Sequence, residues 1–388
     1  MKTSTRCVRL ESNDDAYGSV SPPIYQTATF RQPTASEFGE YDYTRSGNPT
    51  RSLLEKQIAA LEGGEYGSAF ASGMAAITAV TRLVSAGEEI IAGNDLYGGT
   101  VRLLEKVLPR QGIGVKYVDT SDIESVEAAI TSRSKLILLE TPTNPLLKIT
   151  DIARIAKIGH ANGLLLAVDN SMLSPCLQKP LALGADVVIH SATKFLCGHS
   201  DVTAGAVITN DADLHQQIAF YQNAEGSGLA PFESWLLIRG IKTLALRVER
   251  QNHSAQRIAE HLYGHPAVKN VYYPGLESHE GYKIQKAQAS GGGGVISFTT
   301  DDPEFSRRLV ESTRLFEIAV SFGSVGSVIS TPCNMSHASV PESLRDQLAP
   351  PEDLVRISVG IEDVDDLIED LEQAFAAAAL RQFQVVAA

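Results

Sequence analysis

Four short apolar runs constrain this chain more than anything else in it. "EIIAG", "KLILLE", "LLLAVDN" and "DVVIHS" each place three to five apolar residues between polar turns. Runs of that length suit strands buried on both faces of a parallel sheet. The segments between them carry helical patterning. Strand, helix and strand in series give a mostly parallel sheet covered by helices. Ligands of such sheets bind beyond the carboxyl ends of the strands, so the residues that follow each run are the ones to inspect.

The rest of the chain divides around this series. "NPTRSLLEKQIAALEGG" predicts a helix, with Asn48 as its cap and Pro49 in its first turn. Leu54, Ile58 and Leu61 share one face, and Gly63 can end it. Residues 1–45 hold many turn formers and little periodicity, and "PPIYQTATF" reads as extended. They form either an arm that packs on another subunit or a surface extension. From about Ile241 the pattern changes. A long helical stretch, "TLALRVERQNHSAQRIAEHLYGH", leads to "SGGGGVISFTT" and "LVRISVGIEDVDDLIEDLEQAFAAAA". We expect a large domain over 46–245 and a smaller α+β domain over 246–388, which suits a chain of 388 residues.

The totals exclude some function classes. A net charge of -13 argues against nucleic-acid binding, which calls for a basic surface. No apolar run reaches the roughly 18 to 20 residues of a membrane span. The first residues lack both the apolar core of a secretory signal and the composition of a transit peptide. Cys7, Cys176, Cys197 and Cys333 have no paired spacing, so they read as reduced thiols of a cytoplasmic protein with no metal site.

Asp169 follows "LLLAV", and Ser191, Thr193 and Lys194 follow "DVVIH". Taken singly, the aspartate serves as well for a helix cap and the lysine for a solvated surface group. Together they meet the demands of pyridoxal phosphate. A carboxylate can pair with its protonated ring nitrogen, a lysine can form a Schiff base with its aldehyde, and hydroxyls can donate to its phosphate. "FASGMAAITAV" offers a second anion cradle in Ser72, Gly73 and Met74, at the start of a helical run. Tyr97, beside Gly98 and Gly99, can stack on a planar ring. Glu140 and Asn144, in "ETPTNP", can position the cofactor's phenolic oxygen or the lysine.

"YTRSGNPT", "SGMAA", "YGGT", "ETPTNP", "VDNS", "HSATKFLCGHSD", "RGIKT" and "LVRISVGIED" occur in that order. In this the chain resembles the Cys/Met-metabolism family of pyridoxal-phosphate enzymes, from about Pro22 to Phe375. The resemblance implies an aspartate-aminotransferase-like (fold type I) fold and a homotetramer built from two active-site-sharing dimers. It implies that Lys194 bonds to the cofactor, Asp169 meets its ring nitrogen and Tyr97 stacks on it. Gly73, Met74, Ser191 and Thr193 would contact the phosphate, as would Tyr43 and Arg45 from the neighbouring subunit. Arg356 would clamp the substrate α-carboxylate, since a guanidinium meets a carboxylate with two hydrogen bonds. Ser321 lies in the loop that would close over the same group. Tyr97, or Tyr43 from the neighbouring subunit, would assist by proton transfer or by orienting the substrate.

Two longer stretches, "QNAEGSGLAPFESWLLIRGIKTLALR" and "SFGSVGSVISTPCNMSHASVP", are most similar to the plant-type cystathionine β-lyase branch. That branch implies L-cystathionine as the substrate and α,β-elimination as the reaction, with a γ-lyase or a bifunctional lyase as the alternative and a γ-synthase behind them. Gly99 stands where methionine γ-lyases carry cysteine. Gly326 stands where many γ-acting relatives carry glutamate, and Asn334 replaces an expected bulkier residue.

Overall fold

The computed structural model describes residues 1–10, 15–335 and 348–386. The tail of the second stretch quoted above, 336–341, lies outside them. The helix Pro49–Glu62 starts on Asn48, whose side chain accepts a hydrogen bond from the Thr50 N–H, and it stops at Gly63 in the left-handed region at φ 79°. Its apolar face, Leu54, Ile58 and Leu61, is wholly buried. The first residues hold something their sequence did not signal. Thr3–Val8 is a short helix whose one buried side chain is Cys7.

Seven strands form the large sheet. They are β1 (Tyr66–Phe70), β2 (Glu89–Gly93), β3 (Gly114–Val118), β4 (Ser134–Glu140), β5 (Leu165–Asp169), β6 (Val187–His190) and β7 (Gly205–Thr209). Their order is β1-β7-β6-β5-β4-β2-β3. Neighbours from β3 across to β6 are parallel, and only β7 runs against the rest. The apolar runs are continuous because both faces of the sheet are covered. Val168 and Val188 point into one core cluster, while Ala167, Val187 and Ile189 point into the other.

The chain leaves this sheet through the helix Leu244–Tyr263 and forms a second one. It contains β8 (Asn270–Tyr272), β9 (Val295–Thr299), β10 (Glu317–Ile318), β11 (Val328–Ser330) and β12 (Val355–Ser358), in the order β10-β11-β12-β9-β8. The C-terminal helix Val364–Val386 covers it with Leu367, Leu371, Ala374 and Ala378, a fully buried stripe at helical spacing. Arg356 sits on β12, opposite Ser297 of β9 and Ser330 of β11. Among the described residues no helix is long and apolar enough to cross a membrane.

Candidate active site

The carboxyl ends of β4, β5 and β6 meet at one cavity of about 470 Å³. Asp169 closes β5, in register with Glu140 at the end of β4. The Ser171 N–H donates to the Asp169 carboxylate at 2.9 Å. Burial still holds the Asp169 pKa above the usual carboxylate range. Glu140 is raised well above that range, first by its own burial and then by the negative charges of Asp169 and Asp95. A protonated carboxyl beside an ionised one is how two acids share a dry site.

Lys194 lies in the turn after β6. The hydroxyl of Thr193 donates to the Ala204 carbonyl and accepts from the Ala204 N–H, which joins the two stems of this turn. The ammonium of Lys194 donates to Ser321 Oγ at 2.5 Å and stands 4.8 Å from the centre of the Phe322 ring. Burial, and then the charge of Arg356, lower its pKa to about 8. A lysine so placed holds a substantial neutral fraction near neutral pH, which both nucleophile and base require.

The anion cradle forms where the helix Gly73–Thr81 points its start into the cavity. Ser72 caps it by accepting from the Ala75 N–H, so its first N–H groups have no partner within the helix. A Cβ at Gly73 would lie 2.8 Å from the Cβ of Ser191, so only glycine lets this helix start approach the Lys194 turn. Tyr97 caps the helix Gly98–Lys106 and is 43% exposed, with its ring edge over Gly99. Its N–H faces Glu140 at 3.4 Å.

Arg356 is 2% exposed and has no carboxylate in salt-bridge contact among the described residues. Nη1 donates to Asn144 Oδ1 at 2.7 Å, Nη2 to the Ser321 carbonyl at 2.8 Å, and Nε has no partner. Burial lowers its pKa to about 10. A buried guanidinium with a free donor is incomplete without an anion. Ser321, which touches both cations, has φ 86°, a region that residues with a side chain seldom adopt.

One cavity thus gathers Lys194, Asp169, Glu140, Asn144, Tyr97, Ser72, Gly73, Met74, Ser191, Thr193, Ser321 and Arg356. Tyr43 and Arg45 do not reach it. They line a separate cleft of about 390 Å³, where Arg45 donates to Asn223 and lies over the Tyr43 ring. Seven further lining residues went unnoticed from the sequence: Ile77, Arg102, Ser171, Thr203, Val320, Phe322 and Met335. Ser171 stood inside the quoted "VDNS", and Phe322 beside Ser321 in "SFG", so both were within reach. Gly326 and Asn334 do not line the cavity, and a Cβ at Gly326 would meet open space.

The residues present fit pyridoxal phosphate. The cradle that a Cβ at Gly73 would fill suits its phosphate, the low-pKa lysine its aldehyde and the buried aspartate its ring nitrogen. The unpartnered Nε of Arg356 leaves a place for an amino-acid carboxylate.

Known proteins share this arrangement of chain and fold. The family model described as "Cys/Met metabolism PLP-dependent enzyme" matches residues 4–376. Cystathionine beta-lyase, chloroplastic, from Arabidopsis thaliana is 55% identical over 372 residues, covering 96% of this chain and 80% of its own. Cystathionine gamma-lyase from Bacillus subtilis (strain 168) is 50% identical, covering 94% of this chain and 96% of its own. The crystal structure of cystathionine gamma-lyase from Lactobacillus plantarum complexed with L-serine superposes with a TM-score of 0.95 at 48% identity, over 98% of this chain and all of that one.

Proposed function

Because the chain belongs to the Cys/Met-metabolism family of PLP-dependent enzymes, we propose that it is a carbon–sulfur lyase that cleaves L-cystathionine by α,β-elimination. The net reaction is L-cystathionine and water to L-homocysteine, pyruvate and ammonia. The observation that carries it is the single cavity joining Lys194, Asp169 and Arg356. These are an amine poised to lose its proton, an acid at a strand end and a buried cation lacking an anion.

When bound, pyridoxal phosphate supplies an electron sink for the charge left at the substrate Cα as its proton departs. The helix start at Gly73 and Met74, with Ser72, Ser191 and Thr193, would hold its phosphate. Asp169 would hold its ring nitrogen protonated, and Tyr97 would lie against its ring. Asn144 and Glu140 would line its phenolic side. Arg356 binds the substrate α-carboxylate through its forked N–H groups, and Asn144 keeps that fork oriented from behind. Ser321 stands between Arg356 and Lys194, so a carboxylate on the arginine is drawn up beside the amine. Lys194 Nζ takes the Cα proton, for which a pKa near 8 suits it at neutral pH. Thiolate loss from Cβ then needs no second carbon acid, whereas γ-elimination must also move a Cβ proton.

The 55% identity to a plant-type β-lyase favours β over γ, and the glycine at 326 is compatible with it. The γ reading draws on the Bacillus relative. The exposed apolar side chains Tyr17, Val20, Tyr25, Phe38 and Tyr43 support a further proposal, that 1–45 packs on a second copy and brings Tyr43 and Arg45 to the phosphate there. Incubation of the reconstituted protein with L-cystathionine decides the reaction. Homocysteine and pyruvate in equal amounts are expected. Cysteine and 2-oxobutyrate as the main products would overturn the β assignment.

A further inference from the structure

Behind the strand ends that carry Asp169 and Lys194 lies a buried polar network that touches neither the cavity nor solvent. Its centre is Glu62, 1% exposed, at the last position of the helix Pro49–Glu62. One carboxylate oxygen, Oε1, meets His190 Nε2 at 2.5 Å and accepts from Asn170 Nδ2 at 2.8 Å. The same Asn170 Nδ2 also donates to the Gln178 carbonyl, and Gln178 Nε2 donates to Asn170 Oδ1 and to the Thr141 carbonyl. Thr141 follows β4, Asn170 follows β5 and His190 ends β6. The network therefore ties together the three strand ends that present Glu140, Asp169 and the Lys194 turn.

Stability alone is a poor account of Glu62. A carboxylate in the last turn of a helix meets the negative end of the helix dipole. This one is also removed from water, and its second oxygen, Oε2, has no partner. A buried carboxylate needs close polar partners, and the His190 ring at 2.5 Å is the nearest one it has. His190 in turn precedes Ser191, whose N–H is fixed by Ser171 Oγ at 2.6 Å, and Ser171 is the residue that donates to Asp169. Asn170, joined to Asp169 along the chain, donates its own N–H to the Ile189 carbonyl. Both routes from Glu62 end at the same aspartate.

We propose that Glu62 and His190 form a positioning pair for Asp169: through Asn170 and Ser191 they fix the strand end that carries this carboxylate and so hold it on the cofactor's ring nitrogen. The proposal rests on the reading of the cavity as a pyridoxal-phosphate site.

A double-mutant cycle tests it by titrating apo-protein with pyridoxal phosphate and reading the dissociation constant from absorbance. Glu62→Gln keeps the size and the Asn170 contact but replaces the carboxyl that holds His190 with an amide. It should weaken cofactor binding by about tenfold, inside the span of couplings measured within one buried network. In an Asp169→Asn background the same change should have little further effect, because the carboxylate it positions is already gone. Equal weakening in both backgrounds would overturn the proposal, since a merely structural network acts whatever residue 169 is. Unchanged affinity in Glu62→Gln would overturn it too. If Glu62→Gln does not fold, His190→Gln enters the same cycle with the same expectation. Failure of the unaltered protein to bind pyridoxal phosphate would remove the underlying reading instead, a separate and recognisable outcome.

Discussion

Replacing Arg356 with methionine should change the pH at which Lys194 becomes reactive. The two cations flank one aromatic ring, with Lys194 Nζ at 4.8 Å and the Arg356 guanidinium carbon at 5.8 Å from the centre of Phe322. They therefore lie within about 11 Å of each other, where like charges repel by about 1.5 kcal/mol at an effective dielectric constant near 20. Each 1.4 kcal/mol or so is one pH unit. Arg356 is also the largest charge effect on Lys194 after burial itself, and it acts in the same direction. The neutral amine is the form that captures the cofactor's aldehyde, and it grows as pH rises through the lysine pKa. In apo-protein the rate of pyridoxal-phosphate capture should rise with pH to a plateau, with a midpoint near the Lys194 value of about 8. In Arg356→Met the midpoint should move to about 9. Stopped-flow absorbance across pH 6 to 10.5 reads both curves. An unmoved midpoint would show that the arginine's charge does not reach the amine. A midpoint above 10 in the unaltered protein would refute the dry, cationic setting assigned to Lys194.

Lys194→Ala should remove all turnover and the visible band of the reconstituted protein, and a coloured, active variant would remove this lysine from the chemistry. Gly73→Ala places a Cβ 2.8 Å from that of Ser191 and should cost about 1–3 kcal/mol of packing at the cradle. Thermal unfolding with and without pyridoxal phosphate should show a smaller gain from the cofactor than in the parent, and an equal gain would show that the cradle yields. Gly326→Glu has room to fold, since nothing lies within 4 Å of its added Cβ. Product analysis should then show more 2-oxobutyrate relative to pyruvate, and a constant ratio would take position 326 out of the specificity question.

Much of this molecule was legible in its sequence, for reasons that differ between elements. The helix Pro49–Glu62 carries its own start, face and stop, all local signals. Strands β2, β4, β5 and β6 are apolar on both faces, so an unbroken run betrays them. By contrast β3 is only partly buried along its whole length, and its mixed composition in "GVKYV" gives no run to notice. The helix Thr3–Val8 buries just Cys7 and has no periodic face to display. Site residues on strand ends could be found by looking just past each apolar run, which is how Asp169 and Lys194 stood out. Met335 and Arg102 obey no such rule. Their presence at the cavity depends on how the second sheet and the helix Gly98–Lys106 fold back, a tertiary matter. Glu62 was hidden for the opposite reason, because an acid at a helix end looks like an ordinary surface group until its burial is known.

The reversed direction of β7 has a mechanical meaning. Elsewhere in the large sheet the strand ends open into connections that travel away through helices. The stretch between β6 and β7 instead turns back upon the same sheet, like a broad hairpin, with Thr193 stitched to Ala204 across its base. Lys194 is mounted on a bracket bolted at both ends. Its backbone has little freedom to drift, and the reach of its amine comes from four carbon–carbon torsions alone. The roles proposed for Lys194, cofactor anchor and then base, gain from such a mount: the tip swings while the base stays put.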